Sequence, residues 1–135
     1  MYTLIEKCRL ISPDVEIAEA SILIENERII QVSTGKISAP AGAKVINAEG
    51  LTAVPGFIDL HCHGRNSFDF CDGSAAGAKA IAEGKLAEGV TTLLPTTLTV
   101  SEKDLADSLA AVAAYDQKSG CRIPGVHLEG PFIIF

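Results

Sequence analysis

The chain has 135 residues, of which 47% are apolar and 21% charged, enough for one ordinary folded domain and too apolar for general disorder. A net charge of −6, with eleven Lys and Arg scattered singly, provides no basic stripe to neutralise a phosphate backbone, so no nucleic-acid partner is expected. The start "MYTLIEKCRL" lacks the basic and apolar regions of a signal peptide, and no stretch approaches the roughly 18 apolar residues of a membrane span. No membrane partner and a cytoplasmic location are therefore expected.

The first fifty residues read as β structure. "YTLIEKCRLI", "SILIE", "RIIQV" and "KVINA" are short apolar runs, with a hairpin expected between Leu23 and Val32 around a polar Asn26-Glu27 corner. The stretch "STGKISAPAGA" is a loop by its Gly, Pro and Ser content. After Pro55-Gly56 the pattern becomes strand, helix, strand, helix, strand. The strands are "FIDLHCH", "GVTTLLP" and "IPGVHLEGPF". The first helix starts near Ser74, is weakened by Gly77 and Gly84 and stops at Gly89. For the second, Ser101 with Asp104 resembles a capping box, Leu105, Leu109 and Val112 share a face, and Gly120 marks the stop. Alternating strands and helices imply an α/β fold, a parallel sheet with right-handed crossovers and strands buried on both faces. The boundaries expected are 1–53 for the β-rich part and 54–135 for the α/β part. The four cysteines, Cys8, Cys62, Cys71 and Cys121, form no C-x-x-C pair and read as reduced, mostly buried thiols.

The chemistry concentrates at strand ends. By strict alternation Asp59, His61 and His63 share one face while Cys62 takes the other, so Cys62 is not expected to join a site with the histidines. The two imidazoles start about 6–7 Å apart along the strand and can converge on one cation if the chain bends at Gly64. In "GVHLEGPF", His127 and Glu129 share a face. Glu129 stands just before Gly130-Pro131, where a carboxylate needs a cation, a donor network or solvent. His61, His63 and Glu129 thus form a two-histidine, one-carboxylate set that suits zinc or iron. Asp59 is read either as orienting a histidine or as structural, and His127 as a deeper residue with a structural hydrogen bond. Thr96 and Thr97 either reach a substrate or are ordinary strand and turn residues.

"VPGFIDLHCHG", "GVTTLLPTTLT" and "GVHLEGPF" together resemble the amidohydrolase superfamily and, within it, the N-acetylglucosamine-6-phosphate deacetylases. The first motif alone is shared with dihydroorotases, hydantoinases and deaminases. Combined with H-L-E-G-P-F it is more specific to the sugar-phosphate deacetylases. The resemblance implies the N-terminal part of a (β/α)8 metal-dependent hydrolase barrel, about three strands and two helices, preceded by a small β-sandwich segment. It makes Glu129 the principal metal ligand and His61 and His63 ligands of a second position. It further implies hydrolysis of the N-acetyl group of N-acetylglucosamine 6-phosphate, and a homodimer in the full-length family. The general base, two further histidine ligands and the phosphate-binding residues are expected beyond Phe135, so no catalytic residue is assigned within these residues. Where the family continues with a polar loop, this chain ends in "IIF". A truncated, inactive N-terminal fragment with exposed edge strands is therefore expected. The alternatives are an amidohydrolase acting on cyclic amides, and a non-catalytic association or folding module.

Overall fold

A computed structural model of the chain describes residues 1–132, so the terminal "IIF" lies outside the described residues. The chain divides into two compact units, Met1–Pro55 and a second that begins at Gly56.

The first unit contains β1 (Tyr2–Ser12), β2 (Val15–Glu25), β3 (Arg28–Thr34), β4 (Lys44–Asn47) and β5 (Thr52–Ala53). β1, β2 and β3 form an antiparallel meander, and β4 and β5 run parallel to β1, pairing with its two halves in succession. The hairpin turn falls on Asn26-Glu27, with Asn26 at φ 54°, a left-handed conformation that Asn tolerates better than most residues. Sequence reading passes over the Pro13-Asp14 turn and therefore starts β2 too late. Cys8, Ala20, Ile22 and Ala48 form the buried centre of one cluster, flanked by Ile5, Leu10, Ile17 and Ile24. The same unit carries an apolar groove of about 340 Å³ lined by Leu10, Val15, Ile22, Ile29, Val32 and Val54. The expected β-sandwich segment is a single sheet here, because all five strands hydrogen-bond into one layer.

The second unit opens with β6 (Phe57–Cys62), followed by a small hairpin of β7 (Gly64–Arg65) and β8 (Phe68–Asp69), and a 3₁₀ turn at Phe70–Asp72. Then come α1 (Ala75–Ala87), β9 (Val90–Pro95) and α2 (Glu102–Ala113). β6 and β9 are parallel, joined through α1. Ser74 caps α1 by accepting from Gly77 N–H at 3.1 Å, and Ser101 caps α2 by accepting from Asp104 N–H at 3.2 Å. The capping box at α2 is only half formed, since the Asp104 carboxylate takes the Ser101 hydroxyl at 2.6 Å. Gly84 in α1 faces the hairpin. A Cβ there would lie 2.7 Å from Arg65 Nε, so the glycine that weakens the helix also admits its neighbour.

Two expectations are corrected. The third strand is not a ladder: residues 122–127 touch β9 through two isolated parallel bridges, Thr92 with Arg122 and Thr96 with His127. Pro124 between them has no N–H to donate. Gly120 does not end α2, which stops at Ala113. It packs against α1, where a Cβ would come 2.6 Å from the Ala82 carbonyl carbon.

The core lies between the sheet and its helices. Ile81 and Ala82 of α1, Leu93 of β9, Val112 of α2, and Tyr115, Cys121 and Ile123 beyond it pack with Cys62 and Phe70. Burial on both strand faces, expected from the apolar runs, holds only on this helix side. Phe57, Ile58 and Leu60 are 61–65% exposed, because no layer among the described residues of this unit covers them. All four cysteines are free thiols.

Candidate metal centre

The site begins with an irregularity in β6. Asp59 pairs with Leu93 and Cys62 with Pro95, so three steps on β6 match two on β9 and one extra residue is accommodated between them. Alternation is re-phased across this bulge. Asp59 and Cys62 both turn to the helix side, whereas His61 and His63, flanking Cys62, turn away from it. The expectation that Asp59 shares a face with the histidines is therefore corrected, because strict alternation assumes a ladder without bulges.

Thr96 fixes the residue between the two histidines. Its hydroxyl accepts from Cys62 N–H at 3.0 Å, and its own N–H donates to the Cys62 carbonyl at 2.8 Å. Thr96 and Thr97 are buried, so neither reaches a substrate from here, and Thr96 serves as a backbone clamp. At the end of β9, Thr97 N–H donates to the His127 carbonyl and His127 N–H to that of Pro95, which brings the following Glu129 over the strand end.

There His61, His63 and Glu129 meet. The two Nε2 atoms are 3.2 Å apart, and Glu129 Oε2 lies 3.0 Å from that of His61 and 3.2 Å from that of His63. Three Lewis-basic atoms at such spacing match donors arranged around one ion at bond lengths of about 2.0–2.2 Å. Glu129 Oε2 is buried without a properly directed hydrogen bond, although both imidazoles are within reach. An orphaned carboxylate oxygen facing two imidazole nitrogens fits a divalent cation. Among the described residues this is the one group of three or more His, Cys, Asp or Glu side chains so convergent.

The other two candidates stand apart. Asp59 accepts from Lys85 Nζ at 2.9 Å through Oδ2 and from His61 N–H at 3.1 Å through Oδ1, and has no hydrogen bond to an imidazole ring. Burial alone would raise its carboxyl pKa, but the Lys85 ammonium and the His61 N–H outweigh it, so it titrates below the ordinary aspartate value. The hydrogen bond to Asp59 in turn raises Lys85. His127 is exposed rather than deep, its ring 4.8 Å from that of His61 and tilted by 59°. Sequence reading misses Lys85, because a single lysine near the end of a helix carries no signal until the bulge is known.

No protein-family model matches the chain. An N-acetylglucosamine-6-phosphate deacetylase of Bacillus subtilis is 27% identical over 135 residues, covering 96% of this chain and 34% of its own length. The solved structure of the Mycobacterium smegmatis N-acetyl-D-glucosamine-6-phosphate deacetylase, in complex with N-acetyl-D-glucosamine-6-phosphate, superposes with a TM-score of 0.82 at 26% identity. That superposition covers 98% of this chain and 34% of the other. The chain resembles the N-terminal part of the amidohydrolase deacetylases. It spans about a third of the length of these relatives. A dihydroorotase of Geobacter sulfurreducens is 40% identical over 86 residues, covering 62% of this chain and 20% of its own length, so part of the likeness is common to the wider superfamily.

Proposed function

We propose that these residues supply part of the metal centre of a hydrolase that removes the N-acetyl group of N-acetylglucosamine 6-phosphate. The convergence of His61, His63 and Glu129 at 3.0–3.2 Å carries the reading, and the deacetylase relatives support the substrate. His61, His63 and Glu129 would hold the ion, and the donor set suits zinc and iron alike. A bound divalent ion would lower the pKa of a water molecule and polarise the acetamide carbonyl. This chain's residues orient the site: Thr96 and Asp59 fix the backbone of the two-histidine segment, and the end of β9 carries Glu129 to it. No general base is assigned among the described residues, so the 135-residue chain by itself is proposed to bind metal without turning over substrate. A cytoplasmic location and a homodimer are part of the same reading.

Zinc titration against a chromophoric chelator tests it. Binding that falls at least tenfold in both His61→Ala and Glu129→Ala is expected, whereas a parent chain without measurable affinity would remove the metal reading. Hydrolysis of N-acetylglucosamine 6-phosphate by the isolated chain at ordinary enzyme rates, about 1–10³ s⁻¹, would remove the claim of inactivity. The dihydroorotase likeness favours one second reading, hydrolysis of a cyclic amide through a bridging carboxylated lysine. Lys85 does not meet that need, since it pairs with Asp59 on the opposite side of β6.

A further inference from the structure

We propose that Lys85 and Asp59 form a brace on the far side of β6 that sets the direction of His61 and so tunes metal affinity. The proposal rests on the reading of His61, His63 and Glu129 as ligands.

Asp59 uses its two oxygens in different directions: Oδ1 accepts from His61 N–H at 3.1 Å and Oδ2 from Lys85 Nζ at 2.9 Å. The His61 N–H lies in the bulge, where the regular ladder with β9 is interrupted, and the Asp59 carboxylate supplies an acceptor there. Lys85 comes from the last turn of α1, so the pair ties the bulged segment to the crossover helix. Both side chains are mostly shielded, 18% exposed for Lys85 and 23% for Asp59, which leaves the contact less open to solvent screening than a surface pair. Thr96 holds Cys62 N–H in the same way from β9. Side chains thus fix the N–H groups of two successive residues, His61 and Cys62, immediately before His63. Without the Lys85 contact, the Asp59 carboxylate is free to rotate away from His61 N–H, and the His61 ring loses its fixed approach to Glu129. Lys85 and Asp59 are positioning residues: they do not touch the donor atoms, and they govern where those atoms point.

The test is Zn²⁺ affinity of the 135-residue chain by chelator competition, with thermal melting of the metal-free protein measured alongside. Lys85→Met is expected to weaken Zn²⁺ binding by about tenfold to a hundredfold, and Lys85→Arg to restore affinity to near the parent value. Asp59→Asn, isosteric but placing an NH₂ donor against Lys85 so that the ion pair is lost, serves as a second variant should Lys85→Met not fold. It is expected to weaken binding in the same range. Unchanged affinity in a folded variant, with only the melting temperature lowered, overturns the brace and leaves the metal reading intact. Absence of Zn²⁺ binding by the parent overturns the metal reading and the brace with it.

Discussion

The two sides of the β6–β9 pair carry similar apolar residues and meet opposite fates. Leu93 is fully buried against α1 and its neighbours, while Leu60, on the strand beside it, is 61% exposed. The apolar pattern is comparable on both sides. What differs is whether the described chain supplies a layer to cover it, and helices cover only one side. The first unit repeats the contrast, with Cys8 and Ala20 fully buried while Ile29 stands open at the groove. In the second unit the closed side supplies the stability, and the histidines turn away from it. Folding and chemistry are thereby separated across one strand.

The sharpest way to break this comparison is to truncate a leucine on each side. Leu93→Ala is expected to cost about 2–5 kcal/mol, against less than about 0.5 kcal/mol for Leu60→Ala. Denaturant melts of the two variants check this, and equal losses would mean that the open side is covered in solution. Thr96→Val leaves Cys62 N–H buried without its side-chain acceptor, at an expected cost of about 1–3 kcal/mol. Because Thr96 clamps the backbone of Cys62 between the two histidines, its loss is also expected to weaken metal binding, measurable in the same chelator assay.

A smaller effect concerns Tyr115, whose hydroxyl donates to the Cys121 carbonyl at 3.3 Å and accepts from Gly120 N–H at 2.9 Å. Burial raises its pKa, so the folded state favours the neutral phenol. That contribution is complete below the unfolded value of about 10 and is lost as the pH rises through the higher folded value. Tyr115→Phe is expected to cost about 1 kcal/mol at pH 8 and to flatten the decline of the melting temperature above pH 10. An alkaline decline as steep as the parent's would place the titrating group elsewhere.

Much of the fold was legible because it depends on local chemistry. The Asn26-Glu27 corner, the serine caps of both helices and the Gly89 stop each follow from a side chain's own hydrogen bonding or backbone freedom. The residues that meet at the candidate centre were visible as types at strand ends. Their surroundings were not, because these depend on register. Nothing in "DLHC" signals an extra residue in the strand, yet that residue sends Asp59 to Lys85 and leaves the histidines facing the other way. The third strand failed at Pro124, whose missing N–H reduces a ladder to two single contacts. The β7–β8 hairpin was passed over because its turn uses Asn66 and Ser67, both at positive φ, in place of the glycine that usually marks such a turn.

The bulge in β6 has a consequence for anyone transplanting the motif. In a regular strand, a residue two before the first histidine shares its side, so an acidic group there would compete for the ion. The extra residue reverses that relation and lets an aspartate close in sequence serve the opposite surface. Copied into an ideal strand, the same seven letters would turn the carboxylate toward the cation, whereas deleting Leu60 here would remove the bulge and still leave Asp59 on the side of Cys62. The spacing of this motif is therefore an instruction about parity as well as distance.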